Sequence, residues 1–328
     1  MEQIYSDEFQ KINDRYHDEL LVHCYRFLGS VEDAEDALQE TFLRAWRNLD
    51  SVKNPAALRA WLYKIATRAS LDLLDYRKAR LLPGAITRTS HPQVSSPGSP
   101  EEPSWLEPLP DEYLDNLTPD PEARYEIHES VSLAFLAVLQ KLPGRQRSIL
   151  ILRDVLGWPS REVAELLDLS TAAVNSALQR ARATIEKQRQ NHEYLANTKL
   201  DNLRAEPLLA RYLQAWEAMD TEGLTALLSE DAVMTMPPLT ARFLGSPAIG
   251  KFFSENIFQG PPEDRFRLLA IKANGSPAFA IYQVDPEGVF RLSSLQVLGI
   301  REDQIIRIDS FLAQNRQFSP RFGLPLSL

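Results

Sequence analysis

Cysteine is nearly missing from this 328-residue chain, which has only Cys24. One thiol makes no internal disulfide framework and no multi-cysteine zinc site, and it suits a reducing cytoplasm. Histidine is scarce too: there are five, and none lies beyond residue 192. Everything after that point lacks an imidazole for proton transfer or for holding a metal. No apolar run approaches the roughly 20 residues needed to span a bilayer. The opening "MEQIYSDEFQ" is acidic, unlike a secretory signal. These absences predict a cytoplasmic protein with no membrane part, no metal and no cofactor.

A fourth absence is local. The formal net charge is -9, yet residues 169–185, "LSTAAVNSALQRARATI", contain no acid. Charge is segregated elsewhere as well. Residues 59–80 hold six Lys/Arg against two Asp, and residues 141–190 hold nine against five acids. Between them, residues 81–130 hold two Arg against ten acids. Two basic blocks flanking an acidic one argue against indiscriminate coating of nucleic acid and for localised contacts.

Residues 5–80 read as helical. Ser30 is a candidate N-cap with Asp33 three residues on. Ala34, Leu38, Phe42, Ala45 and Leu49 then recur at helical spacing, with Asp33, Asp36, Glu40 and Arg44 pointing elsewhere. Asn54-Pro55 signals the next start, and Leu58, Leu62, Ile65 and Ala69 form its inner stripe, with Asp72 one turn past Arg68 as its expected partner. From about 83 to 122 the pattern dissolves, and nine of the 22 prolines fall there. That stretch reads as a linker. One island within it, "SWLEPLPDEYL", carries Trp105, Leu106 and Tyr113, which a pure spacer does not need, so the island is expected to dock.

Helices resume at about 121 and continue to about 192. "SREVAELLDLSTAAVNSALQRARATI" splits into two helices around a tight turn at Asp168–Leu169, with Ser160 and Ser170 as candidate caps. Val174, Leu178, Ala181 and Ile185 form the buried stripe of the second. Its other face shows Thr171, Ala172, Asn175, Ser176, Gln179, Arg180 and Arg182. Small residues let a backbone approach a major groove, amides and arginine read base edges, and a carboxylate would repel phosphate. The alternative is an ordinary solvated face, although such faces usually carry Glu.

"LPGRQRSILILRDVLGWPSREVAELLDLSTAAVNSALQRARATI" resembles region 4 of sigma-70-type initiation factors of the extracytoplasmic-function group. "DAEDALQETFLRAWRNL" and "RAWLYKIATRASLDLLDYRKAR" resemble their region 2. The resemblance implies a factor that binds core RNA polymerase through the β′ clamp and the β flap and directs it to promoter −10 and −35 elements. It assigns the clamp to Asp33, Asp36, Gln39, Glu40 and Arg44, which otherwise read as a solvated acidic face. It assigns the −10 element to Arg59, Trp61, Lys64, Thr67, Arg68, Arg77 and Arg80; Trp61 also reads as plain core. It assigns the −35 element to Arg161, Ser170, Thr171, Ala172, Asn175, Ser176, Gln179, Arg180 and Arg182. Two departures stand out: Arg68 where many relatives have Asn, and Asp168 where Gly is usual at the turn.

After about residue 204 the texture changes to two helices and then short β-rich runs separated by Asn-Gly, Asp-Pro-Glu-Gly and Arg-Glu-Asp turns, which reads as an antiparallel α+β domain. "RYLQAWEAMDTEGLTALLSEDAVMTMPPL" followed by "FLGSPAIGKFF" resembles the opening of a SnoaL-like domain of the nuclear-transport-factor-2-like superfold. That resemblance implies helices capping a cone-shaped, curved sheet with a cavity, for which Trp216, Met236, Phe243, Phe252 and Tyr282 are candidates; each also reads as core filling. A small ligand there and cis regulation of the helical part are the implied roles. Asp231, Asp285 and Asp309 remain as possible bases for chemistry, at positions where acids are usually solvated.

The expected architecture is two all-α helical domains, 1–80 and 123–195, joined by the acidic linker 81–122 and followed by an α+β domain at 204–328. The expected function is that of a non-enzymatic transcription initiation factor regulated in cis. Two alternatives stay open on sequence: a self-contained ligand-sensing helix-turn-helix regulator, and an enzyme with helical scaffolding.

Overall fold

Ser30 ends one helix and starts the next. Its backbone is extended, and its hydroxyl accepts the Asp33 N–H at 3.2 Å, satisfying one of the donors a helix start leaves open. In the computed structural model, α1 (Glu2–Leu28) precedes this cap and α2 (Val31–Asn48) follows it. Asn54 then caps a short turn through the Ala56 N–H at 3.0 Å and leads into α3 (Leu58–Tyr76). The structure describes residues 2–52, 54–76, 105–118, 120–191, 202–261, 265–313 and 318–328. They fall into two compact units, one holding Met1–Leu81 and Pro103–Asn191, the other His192–Leu328.

In the first unit α1, α2 and α3 pack on one another. Ala34, Ala37 and Ala45 line the buried side of α2, where their small volume allows close approach of α1 and α3, on which Leu20, Leu21, Tyr25, Phe27, Leu62 and Tyr63 are buried too. The proline-rich island docks onto this bundle. Leu106, Leu109 and Leu114 are fully buried, each worth roughly 1.5–3 kcal/mol over exposure. The Glu107 backbone N–H donates to Gly29 O at 2.9 Å, its carboxylate accepts from the Val31 N–H at 3.0 Å, and its carbonyl accepts from Tyr25 OH at 2.6 Å. Gly29 is required twice over: its φ is +69°, and a Cβ there would lie 2.3 Å from Leu106 Cδ2. The island continues into α4 (Glu112–Asp115).

Five further helices complete this unit: α5 (Pro121–Val131), α6 (Leu133–Leu139), α7 (Gly144–Leu150), α8 (Ser160–Leu167) and α9 (Thr171–Asn191). A π turn at Ile151–Val155 extends α7. Ser132 caps α6 by accepting from the Phe135 N–H. Ser170 caps α9 through the Ala173 N–H at 3.1 Å. Ser160 is the first residue of α8 rather than its cap, and its hydroxyl donates instead to Asn175 Oδ1 at 2.9 Å. Asp168 closes α8 in the left-handed conformation, φ 55° and ψ 48°. Val163, Leu166, Val174, Ala177, Leu178 and Ala181 are buried between the two helices and α7.

The second unit is α+β. Helices α10 (Asn202–Glu217) and α11 (Thr221–Thr225) precede β1 (Leu228–Thr235) and β2 (Arg242–Leu244); α12 (Ser246–Phe252) follows. A meander of β3 (Phe266–Ala273), β4 (Ser276–Val284), β5 (Phe290–Arg301) and β6 (Gln304–Leu312) leads to α13 (Phe318–Arg321). The sheet order is β2-β1-β6-β5-β4-β3. It is not wholly antiparallel as the sequence suggested, because β1 pairs with β6 in parallel. Register shifts in the β1–β6, β4–β5 and β5–β6 ladders bend it. One face carries Met234, Met236, Leu268, Phe279, Ile281, Leu298 and Ile308 against Tyr212, Ala215 and Trp216 of α10 and Ile249 of α12.

Candidate nucleic-acid and polymerase interface

The helix-turn-helix is built from the turn outward. Asp168 tightens the link between α8 and α9, and the Ser160–Asn175 bond ties their starts together. Thr171, Ala172, Asn175, Ser176, Gln179 and Arg180 are all exposed along one side of α9. No carboxylate interrupts them, so this side offers only donors, amides, methyls and one cation. Arg180 has no side-chain partner among the described residues. Arg182 differs: it makes a two-point pair with Asp154, Nε to Oδ2 at 2.9 Å and Nη2 to Oδ1 at 2.6 Å. That pair raises its already high pKa through the hydrogen bond and the charge of Asp154. Arg182 therefore braces α9 against the π turn. Arg161 on α8 is exposed beside Glu165 at 3.2 Å.

On α3 the expected residues separate into an outer and an inner group. Arg59 and Arg68 point outward, and Trp61 and Lys64 are half-buried. Arg59 is held by Glu19, which also accepts from Tyr63 OH at 2.8 Å, and it lies over the Tyr63 ring at 5.2 Å. Arg68 pairs with Asp168 at 2.9 Å, while Asp72, its expected partner, goes to Arg44 at 3.0 Å. Thr67 belongs to the core: it is fully buried, 2.9 Å from His23 Nε2. Helical spacing puts it one residue from Arg68, and 100° of rotation is enough to turn it inward. Burial, then the charge of Arg26, pushes the His23 imidazole down to about 3, so it stays neutral. Arg77 and Arg80 lie outside the described residues.

Along α2, Asp36 and Gln39 are exposed, and Glu40 binds Arg44 at 2.6 Å on the same side. Asp33 departs from the expectation. It is 2 % exposed, turned into the bundle at the capped first turn. The sequence reading also missed two residues on the open side, Leu43 and Trp46, each 45 % exposed. Spacing three and seven residues after Glu40 and Gln39 was the available signal. A polar rim around exposed Leu and Trp has the makeup of a docking surface.

In the second unit Trp216 and Met236 belong to the buried cluster, and Phe243 and Phe252 stack beside it at 4.4 Å. Trp216 meets Phe253, Phe258 and Phe266 edge-on at 5.2–5.3 Å. Tyr212 stacks on Phe279 and bonds Gln296 from within the same cluster. Tyr282 does not join them. It alternates with Ile281, faces the other side of the sheet and donates to Pro325 O at 2.8 Å. The three acids held open as bases are all engaged in ion pairs. Asp285 holds its own turn and Arg291, and Asp231 lies 3.5 Å from Arg301. Asp309 is buried in mid-strand, not solvated at a strand end: it binds Arg307 at 2.6 Å and Thr235 at 2.6 Å. Among the described residues no group of His, Cys, Asp and Glu is placed to hold a metal. No helix of the described residues is long and apolar enough to cross a membrane.

Comparison with known proteins follows these divisions. Residues 13–80 match the family model of Sigma-70 region 2, and residues 132–185 match that of Sigma-70, region 4. Residues 209–308 match the SnoaL-like domain. The ECF RNA polymerase sigma factor SigG of Mycobacterium tuberculosis is 41% identical over 321 residues, which is 98% of this chain and 85% of SigG. The chain belongs to the ECF sigma factors of RNA polymerase. ECF sigma factor SigJ of Mycobacterium tuberculosis is 32% identical over 217 residues, covering 66% of this chain and 61% of SigJ. The SigJ crystal structure shares the fold, with a TM-score of 0.62 at 23% identity over 96% of this chain and 99% of that one. As an ECF sigma factor, the chain is a transcription initiation factor whose partners are core RNA polymerase and promoter DNA. A self-contained operator-binding regulator would have no use for region 2, and that alternative is not favoured.

Proposed function

We propose a division of labour among the three surfaces of this sigma factor. The open side of α2, with Asp36, Gln39, Glu40, Leu43, Arg44 and Trp46, docks on the β′ clamp, charge setting register and Trp46 supplying the anchor. Arg59, Lys64 and Arg68 of α3 work at the −10 element, repaying the unstacking of a flipped base with phosphate contacts. The exposed side of α9 reads the −35 element, and region 4 meets the β flap. The observation that carries this is the acid-free, wholly exposed row from Thr171 to Arg180, which begins at a turn built to present it. The chain acts in the cytoplasm.

The SnoaL-like unit regulates initiation in cis and does no chemistry of its own. Asp231, Asp285 and Asp309 are engaged in ion pairs, and its fold alone says nothing about catalysis. Tethering raises its effective concentration, so weak contacts with polymerase or with regions 2 and 4 suffice. A ligand within the cluster around Trp216 and Met236 is compatible with this role. The test is run-off transcription with core polymerase, comparing the intact chain with residues 1–195. A change in transcript yield or in polymerase affinity supports cis regulation; identical behaviour of the two forms removes it.

A further inference from the structure

Asn175 lies on the exposed row of α9, yet its side chain is not free to turn. The Ser160 hydroxyl, 15 positions earlier in the chain, donates to its Oδ1 at 2.9 Å. Ser160 is the first residue of α8. Pro159 holds the cap position there, extended at φ −60° and ψ 144°, which leaves the Ser160 hydroxyl for α9. Both ends of this bond are braced on the π turn Ile151–Val155. The Trp158 N–H donates to Leu152 O at 2.9 Å, and Arg153 donates to Trp158 O, which fixes the approach to α8. On the α9 side Arg182 grips Asp154 of the same turn through two bonds. The Ser160–Asn175 bond therefore joins two anchored helices and turns the amide one way.

Orientation decides what an amide can read. An asparagine that pairs with adenine in the major groove uses both halves: its oxygen accepts from N6 and its nitrogen donates to N7. With Oδ1 turned to Ser160, Asn175 presents its amino group outward. A donor alone is best matched by guanine, whose O6 and N7 both accept; at cytosine it meets the N4 donor, and at adenine the N6 donor.

We propose that Ser160 is a positioning residue for promoter recognition. By holding the Asn175 amide oxygen it makes Asn175 a donor-only reader, which selects a guanine at one −35 base pair and forgoes two-point pairing with adenine. This rests on the assignment of α9 to the −35 element. Ser160 acts through Asn175 without touching a base. The bond is at the surface, so it biases the amide about two- to tenfold, the range of one net hydrogen bond.

The test uses the full chain with core polymerase on a promoter library randomised upstream of the start site, with the transcribed templates sequenced. Asn175→Ala marks the base pair concerned, as the −35 position whose preference it removes. There the wild-type chain should prefer a G·C pair. Ser160→Ala should shift the ratio of A·T to G·C about two- to tenfold toward A·T, because the freed amide can then pair at both atoms. Ser160→Thr, which keeps the hydroxyl, should hold the wild-type ratio. On a single template, 7-deazaguanine in place of that guanine removes the N7 acceptor and should lower wild-type initiation. A bond that only staples α8 to α9 would give Ser160→Ala an even loss at every base pair. That even loss, an unchanged ratio, a wild-type preference for A·T, a ratio that shifts as far in Ser160→Thr as in Ser160→Ala, or indifference to 7-deazaguanine overturns the proposal. Failure of the underlying assignment gives a different result: neither Asn175→Ala nor Arg180→Ala would then alter any −35 preference.

Discussion

The two units bury cations in opposite ways. In the SnoaL-like unit Arg307 lies beside Asp309, which Thr235 also bonds, so a neutral pair is sealed within the sheet. In the sigma unit Arg26 and Arg147 are just as buried, yet the hydrogen bonds they make go to a hydroxyl, a side-chain amide and carbonyls. Burial draws both guanidinium groups down to about 10. A matched pair is costly to break and has one arrangement. A cation resting on helix-end carbonyls is held by dipoles and can let go when water or another partner arrives. The contrast separates a sealed charge pair in the appended domain from cations held by dipoles in the helical unit.

The contrast can be broken in several places. The largest effect belongs to Asp309→Ala, which leaves Arg307 uncompensated and should cost the second unit about 3–5 kcal/mol in urea unfolding. Adding Arg307→Leu to that variant should recover most of the loss, because the uncompensated charge goes too. Arg147→Met in the first unit should cost less, about 1–2 kcal/mol. It removes the donor to Gln140 Oε1 and Leu142 O, while Phe27 O keeps the Gln140 amide, and it also removes a desolvated cation.

Acid should separate the units as well. His23 is held at about 3 in the folded state, below its unfolded value near 6.5. Between those values the unfolded chain binds one more proton, so stability falls as pH falls, by about 1.4 kcal/mol per pH unit. His23→Gln should flatten that part of the pH profile of the first unit, and no histidine beyond residue 192 gives the second unit a similar slope. The smallest effect is Asp168→Gly, which relieves a left-handed residue and should raise thermal stability by under about 1 kcal/mol, offset in part by loss of the Arg68 pair.

The sequence was most informative where local rules govern. Ser30 and Ser170 cap as expected, Val174, Leu178 and Ala181 form the inner stripe of α9, and the leucines of the proline-rich island dock. It misled where long-range contacts decide. Nothing in the spacing of α3 favours Asp168, 100 residues away, over Asp72 as the partner of Arg68. Thr67 and Asp33 look like surface residues by type, and each is turned inward by one step of helical rotation. The parallel pairing of β1 with β6 joins the two ends of the domain and leaves no local mark. Tyr282 was misplaced by one position of strand alternation, which sends a side chain to the opposite face. Leu43 and Trp46 escaped notice because an exposed apolar residue and a core one have the same signature in a helical pattern.

The central claim is that the exposed row on α9 selects promoters for core polymerase. Run-off transcription with core polymerase and the intact chain, with and without Arg180→Ala, tests it directly. The account predicts defined start sites with the wild-type chain and, for Arg180→Ala, about five- to 150-fold loss of −35-dependent initiation with core binding intact, as the loss of a base-edge contact worth about 1–3 kcal/mol requires. Equal transcription by both proteins, or no start-site selection by either, would contradict it.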